Sequence, residues 1–212
     1  MVAERAEPFE VALAALRERL RDGVFLPGER IAASELAAIL HLSATPVRES
    51  LSQLSGEGLL VDRRGQGWFV QALTALDIAD LYRTSLAVLT TAHDAHRVAA
   101  PQQAGAPSPV ETRAGDAIQL VERLFADWMA QAGGHALYAV HRNLQARLEP
   151  VRRAEPLVFG DLPEEAARLR ALAPPTAAGP RLAEIRRFYN RRIAAAHRLA
   201  GLIYPSRRPP SV

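Results

Sequence analysis

Cysteine and lysine are both absent from this sequence of 212 residues. Without cysteine, the chain has no disulfide, no zinc–thiolate site and no thiol nucleophile. Arginine therefore supplies all the formal positive charge apart from histidine, and we interpret this usage as that of a GC-rich genome. No apolar run approaches the ~20 residues that cross a bilayer, and the N-terminus lacks the pattern of a signal peptide. We therefore expect a cytoplasmic protein.

Charge is divided unevenly along the chain. Residues 1–75 contain eight arginines and ten acidic residues, a net formal charge of −2, whereas residues 76–212 contain eighteen arginines and thirteen acidic residues, a net of +5. Apolar residues make up 49% of the chain, enough for a sizeable core in one or two domains. Any anion-binding surface in residues 1–75 must concentrate its few arginines on one face.

The spacing of apolar residues predicts three helices near the N-terminus. The first covers about residues 8–22 and ends at Gly23, and its inward face consists of Phe9, Leu13, Leu16 and Leu20. Two shorter helices follow, each preceded by a serine that can cap it, Ser34 and Ser43. We expect the second to face inward through Leu36, Ile39 and Leu40. The third is expected to do so through Val47, Leu51 and Leu54.

A glycine-tipped hairpin completes this region. Two short strands at 59–61 and 68–71 flank the turn Gly65-Gln66-Gly67. Helices followed by a hairpin in this order indicate a winged helix-turn-helix, which places its second helix of the pair in the major groove of DNA. The predicted fold is therefore mainly α, with this N-terminal domain followed by an all-helical bundle.

Polar residues outside the buried stripe are the candidates for DNA contact. Ser43, Thr45, Arg48 and Glu49 occupy the start of the third helix, where hydroxyls bind phosphate and arginine can grip a guanine edge. Another group flanks the wing tip, where it can reach the minor groove: Arg63, Arg64 and Gln66. The ordinary alternative is that Ser43 only caps its helix and that Arg48 is only a solvated charge.

Residues 9–72 resemble the winged helix-turn-helix of GntR-family bacterial transcription regulators. The motifs that carry this resemblance are Pro27-Gly28-Glu29, Ser34-Glu35-Leu36-Ala37, Thr45-Pro46-Val47-Arg48-Glu49, Glu57-Gly58-Leu59 and Gly65-Gln66-Gly67-Trp68-Phe69-Val70. The resemblance implies a homodimer that binds a short palindromic DNA operator, with contacts from Ser43, Thr45, Arg48 and Gly65. The family usually has arginine where this chain has Ala44, and often another near Ser34.

Helical patterns dominate the second predicted domain, residues 74–204. Thr74 can cap a helix over 75–98, and residues 100–114 are predicted to form a loop. The next two helices have the inward stripes Ile118, Val121, Phe125, Trp128 and then Leu137, Val140, Leu144, Leu148, Val151. A weak helix at 163–172 precedes a loop bounded by Pro174-Pro175 and Gly179-Pro180. One last helix runs from Leu182 to Ile203, and residues 205–212 form a loose tail.

The segment Asp77-Ile78-Ala79-Asp80-Leu81-Tyr82 is similar to the start of the helical FCD effector domain in the FadR-like branch of the family. Many FCD domains bind a divalent metal through an Asp-x-x-x-His pair and two later histidines. In an alignment on Phe125, those positions hold Glu122, Ala126, Ala166 and either Tyr189 or Asn190. A carboxylate without imidazoles is a poor transition-metal site, so we expect no metal and no cofactor.

An effector, if the domain binds one, is expected to be a small anionic or aromatic acid. Its predicted pocket walls are the aromatic residues Phe125, Trp128, Tyr138, Phe188 and Tyr189, and its predicted anchors are Arg123 and Arg187. The alternative is that these aromatic residues only pack the core. The arginines at 181, 186, 187, 191, 192 and 198 are interpreted as a solvated face, or else as a surface for an anion or partner.

No catalytic arrangement can be recognised in the sequence. The scattered histidines, including His141, are interpreted as surface or hydrogen-bonded side chains, although His93 and His96 have the spacing of a ligand pair. We therefore expect an effector-controlled transcription regulator, either a repressor or an activator. One alternative is a ligand-free regulator controlled by a partner protein, and a remote one is an enzyme with a DNA-binding head.

Overall fold

The chain divides into two units, residues 1–73 and residues 74–212. The computed structural model describes residues 7–98, 114–132, 134–173 and 178–203. The predicted loop at 100–114, apart from Ala114, and the predicted tail at 205–212 lie outside the described residues. None of the described helices is long and apolar enough to cross a lipid bilayer.

The described part of the N-terminal unit contains three helices and a three-stranded antiparallel sheet. Its elements are α1 (Pro8–Arg21), β1 (Arg30–Ile31), α2 (Ala33–Leu40), α3 (Ala44–Gly56), β2 (Leu60–Arg63) and β3 (Gly67–Val70). Strand β3 lies between β1 and β2. The predicted hairpin is confirmed, with strand ends shifted by one or two residues. Strand β1 was not predicted, because two residues are too few for an alternating pattern.

Apolar stripes on α1 and α3 build the core of this unit. Leu16, Val47, Leu51 and Leu54 have no exposed surface, and α1 packs against α3. Burial of each such side chain stabilises the fold by ~1.5–3 kcal/mol. The predicted stripe on the third helix is therefore confirmed. Because α3 turns this stripe towards α1, its opposite side faces solvent.

Two predictions for α2 are wrong. The helix begins at Ala33 with Ala32 as its N-cap, so Ser34 lies within the first turn and does not cap it. Ile39, expected to face inward, is 56% exposed. Helical geometry explains this difference, because Leu36, Ala37 and Leu40 share one stripe while Ile39 lies about 100° of rotation away from it.

The turn between α2 and α3 depends on a left-handed residue. His41 has φ 54°, the one non-glycine residue with positive φ among those described. Its N–H donates to the carbonyl of Ala38, and the N–H of Leu42 donates to that of Ala37. These bonds end α2 and turn the chain into α3 within three residues.

The C-terminal unit is helical throughout its described residues. Its elements are α4 (Ala75–Val98), α5 (Ala114–Gln131), α6 (His135–Ala154), a 3-10 turn (Glu155–Leu157), α7 (Leu162–Ala171), α8 (Ala178–Ala194) and α9 (Ala196–Ile203). Helix α4 packs against α5, α6, α8 and α9. The predicted cap of α4 is confirmed: the hydroxyl oxygen of Thr74 accepts from the N–H of Asp77, and the Asp77 carboxylate accepts from the N–H and hydroxyl of Thr74.

Three other details differ from the prediction. Gly179 and Pro180 lie in the first turn of α8 rather than in a loop, where proline is tolerated because its missing N–H has no helical partner. The predicted last helix is interrupted at Ala195, whose N–H is shared between the carbonyls of Arg191 and Arg192. Val140, expected to face inward, is 45% exposed.

A buried cluster of polar and charged residues links α4, the 3-10 turn, α7 and α8. The guanidinium of Arg192 donates to Glu155 at 2.7 Å and to Glu165 at 2.8 Å, and all three side chains are almost fully buried. Tyr82 donates to Glu155 at 2.8 Å. Burial acts to lower the pKa of Arg192, but the two carboxylates outweigh it and raise the pKa. The predicted solvated face is therefore wrong for Arg192, because its acidic partners lie on other elements.

The conformation of His41 leads to a first prediction. A β-branched residue is strained at positive φ, whereas glycine adopts it freely. We expect His41→Val to be less stable than His41→Gly by ~1–3 kcal/mol. Hydrogen exchange of residues 33–56 in the full chain measures this locally. Equal protection of the two variants would show that this turn is not restrained.

Removal of Arg192 is expected to leave two buried carboxylates without their shared cation. Arg192→Met should lower the free energy of unfolding by ~3–5 kcal/mol. Thermal unfolding of the wild type and the variant at the same pH is the measurement. Arg186→Met, at an exposed position of the same helix, is the control, and an equal loss in both variants would contradict the account.

Candidate nucleic-acid interface

Helix α3 is amphipathic, with one buried side and one solvent-exposed side. Pro46, Val47, Ser50, Leu51 and Leu54 are buried. The hydroxyl of Ser50 donates to the carbonyl of Pro46 at 2.8 Å, so this buried polar group is satisfied. The opposite side of α3 exposes polar side chains, namely Thr45, Arg48, Glu49 and Ser52. Ser52 was not predicted as a contact, although its spacing of four residues from Arg48 places it on the same side.

The N-terminus of α3 has no side-chain cap. Ser43 occupies the N-cap position and is exposed, but its side chain makes no capping hydrogen bond. The interpretation of Ser43 as a capping side chain is therefore wrong. Ala44 is half-buried, and Ser34 is exposed in the first turn of α2. Backbone N–H groups at a helix start attract anions such as phosphate.

The hairpin between β2 and β3 forms the wing. Its turn closes with the N–H of Gln66 donating to the carbonyl of Arg63 at 2.8 Å. Gly65 and Gly67 have φ values of 74° and 94°, which other residues rarely adopt. Arg63, Arg64, Gly65 and Gln66 are all exposed at this turn, as their predicted role requires. The Arg63 guanidinium lies 4.2 Å from the ring centre of Phe69.

Another arginine, not predicted as a contact, lies beside the wing. Arg30 is exposed on β1 and pairs with Phe69 of β3. A Cβ atom added to Gly67 would lie 3.5 Å from Nε of Arg30, so the arginine runs along the root of the wing. Sequence patterns missed this position because β1 is too short to be recognised. Arg17 of α1 differs from Arg30, because its guanidinium forms a salt bridge with the carboxylate of Glu57 at 2.6 Å.

The aromatic residues predicted to line an effector pocket pack against one another. Phe125 stacks on Tyr189 with ring centres 5.7 Å apart, and contacts Phe188 at 5.1 Å and Trp128 at 5.5 Å. All four are buried, whereas Tyr138 is half-buried. Two cavities that border Phe188 or Trp128 have volumes of only about 10 Å³. In the described part of the chain, this cluster therefore fills space rather than lining a pocket.

The predicted arginine anchors lie elsewhere. Arg123 is exposed, and Arg187 is 66% exposed with its guanidinium 3.9 Å from Glu184. The arginines that lie over the aromatic rings are Arg181, at 5.0 Å from Trp128, and Arg192, at 3.3 Å from Phe188. Both are buried, so they belong to the packed interior rather than to an open site.

Residues 9–70 match the family model described as "Bacterial regulatory proteins, gntR family". The Nta operon transcriptional regulator of Aminobacter aminovorans is 48% identical over 58 residues, which are 27% of this chain and 28% of that protein. The HTH-type transcriptional regulator YdhC of Bacillus subtilis (strain 168) is 35% identical over 68 residues, which are 32% of this chain and 30% of that protein. The match thus spans less than a third of the length of these curated relatives.

Solved structures resemble a larger part of the chain. McbR/YncC of E. coli has a TM-score of 0.66 at 17% identity, over 93% of this chain and 99% of that one. A GntR regulator from Rhodococcus sp. RHA1 has a TM-score of 0.66 at 18% identity, over 89% of this chain and 96% of that one. These likenesses show the fold alone. The N-terminal unit is therefore a winged helix domain whose residues 9–70 match the gntR family model, and a helical C-terminal domain follows it, as in these solved structures.

Proposed function

We propose that this protein is a cytoplasmic bacterial transcription regulator of the GntR family, and not an enzyme. The observation that supports this best is the two-sided character of α3. One side is buried against α1, and the other exposes Thr45, Arg48 and Ser52 next to a helix N-terminus that has no side-chain cap. This arrangement suits a helix that enters the major groove of DNA.

In the proposed complex with DNA, the elements of the N-terminal unit have separate roles. Arg48 contacts a guanine edge or a phosphate, and Ser43 with the first N–H groups of α3 binds a phosphate. Ser34 approaches the DNA backbone from α2. The wing lies along the minor groove with Arg64, Gly65 and Gln66, while Arg30 and Arg63 face the phosphates beside it. Ala44 lies beside the groove and contributes no charge.

We further propose that the protein acts as a homodimer on a short palindromic operator, and that its helical unit is a FadR-like FCD domain that controls DNA binding. A small acid is the proposed signal, since the family resemblance implies an effector. The main alternative is control by a partner protein, which the dense packing around Phe125 favours. Either signal would repress or activate transcription by changing the fraction of N-terminal units that bind DNA.

Arg48→Ala is expected to weaken binding to an operator selected from random duplexes with the wild-type protein. A bidentate guanine contact or a phosphate contact is worth ~1–3 kcal/mol, so affinity should fall tenfold or more at fixed salt. Fluorescence anisotropy with a labelled duplex measures this. Arg21→Ala removes an exposed arginine from the end of α1 and should change affinity little. Equal effects of both substitutions would remove Arg48 from the contact residues.

Ala44→Arg is expected to tighten DNA binding. It adds a cation at the start of α3, and one further phosphate contact steepens the dependence of log affinity on log salt by about 0.9. A salt titration of wild type and variant gives both slopes. Ala14→Arg adds the same charge on the exposed side of α1 and should leave the slope unchanged. Identical slopes for all three proteins would mean that Ala44 does not face DNA.

The proposed dimer predicts a symmetric footprint. Two heads related by a two-fold axis should protect two half-sites about one helical turn of DNA apart. Hydroxyl-radical footprinting on the selected duplex measures the spacing, and sedimentation at micromolar concentration measures the mass of the free protein. A single protected half-site, together with a monomeric mass, would contradict the proposed assembly.

A further inference from the structure

One acidic side chain lies on the exposed side of α3, the side that is proposed to enter the major groove. Glu49 is the only acid among residues 44–56, and it is exposed. It follows Thr45 by four residues, so the two side chains are neighbours on the helix surface. Because phosphates repel a carboxylate, a glutamate here weakens binding to DNA of any sequence unless one of its oxygens accepts a hydrogen bond from a base.

Contacts within the protein do not explain this glutamate. No hydrogen bond or ion pair joins Glu49 to another residue in the part of the chain that the structure describes. Arg48 cannot provide one, because successive residues of a helix do not face each other. The acid after the helix differs: Glu57 accepts from Arg17 at 2.6 Å and from Gln53 at 3.0 Å. Of these two glutamates, Glu49 is therefore the one that can contact a partner outside the chain.

Core packing fixes the direction of Glu49. Val47 and Leu54 have no exposed surface, and successive helical residues are separated by about 100° of rotation. Glu49 therefore lies on the opposite side of α3 to this buried stripe. By the same rotation, Arg48 and Glu49 lie on either side of Ser52, which is exposed. Their side chains, of opposite charge, can reach different base pairs in the same groove.

The base edges in the major groove differ in what they offer to an ionised carboxylate, which only accepts hydrogen bonds. Guanine presents the acceptors N7 and O6, and thymine presents the acceptor O4 and a methyl group, so both are unfavourable partners. Cytosine presents the donor N4. Adenine also presents a donor, N6, but its neighbouring acceptor N7 repels the second carboxylate oxygen. Cytosine is therefore the base that suits Glu49 best.

We propose that Glu49 specifies one base pair in each half-site of the operator by accepting a hydrogen bond from N4 of a cytosine. This inference rests on the proposed function, because it requires α3 to enter the major groove. The contribution of Glu49 is to discrimination more than to affinity. Its carboxylate disfavours guanine and thymine at that position, and its charge weakens binding to duplexes that lack the cytosine.

The test uses the full chain and the duplex that the wild type selects from random sequences. Each base pair of this duplex is changed in turn, and binding is measured by fluorescence anisotropy at fixed salt. At one position in each half-site, the wild type should bind cytosine roughly tenfold more tightly than any other base. Glu49→Gln should prefer adenine at that position, because a glutamine amide can pair with N6 and N7 together.

Glu49→Ala provides a second readout, which a purely structural role would not produce. This variant should lose the preference for cytosine at that position. Its binding to a duplex of unrelated sequence should become tighter, because a negative charge is removed from the DNA-binding surface. Glu18→Ala removes an exposed acid from α1 and should keep the cytosine preference of the wild type.

Two results would overturn the role of Glu49: unchanged base preferences in both of its variants, or an equal loss of binding by Glu49→Ala to every duplex. Either result would leave the regulatory function standing, since the wild type would still select an operator. If the wild type selects no duplex at all, the proposed function fails, and the role of Glu49 fails with it.

Discussion

The packing of α3 against α1 determines what the N-terminal unit can present to DNA. Val47, Leu51 and Leu54 are fully buried, and they fix the rotation of α3 about its axis. A shift of one residue would turn the helix by about 100° and carry Arg48 towards the core. The left-handed turn at His41 fixes where the helix starts. Apolar packing on one side of α3 therefore determines which polar side chains face solvent on the other side.

In the helical unit, arginine is part of the interior as well as of the surface. Arg192 joins Glu155 and Glu165 and lies over Phe188, while Arg181 donates to the carbonyls of Leu172 and Ala173. A planar guanidinium can satisfy several acceptors and still stack on a ring, which lysine cannot do. This interior is densely packed, and the two cavities beside Phe188 and Trp128 have volumes of only about 10 Å³.

Local signals made much of the N-terminal unit and the start of α4 predictable. The stripe of α3, the glycine-tipped wing and the Thr74 cap each depend on residues within a few positions of one another, and each is confirmed. The burial of Arg192 depends on Glu155, 37 residues earlier in the chain, and no local pattern encodes such a pairing. The outward position of Ile39 and the role of β1 also depend on packing partners that sequence periodicity does not identify.

Photo-cross-linking tests the central claim, that the polar side of α3 meets the bases of the operator. A benzophenone amino acid would replace Ser52 on that side, or Ala14 on the exposed side of α1, in the full chain bound to its selected duplex. The account predicts cross-links to operator bases from position 52 and none from position 14. Cross-links from position 14 alone, or equal yields from both positions, would contradict the orientation of α3.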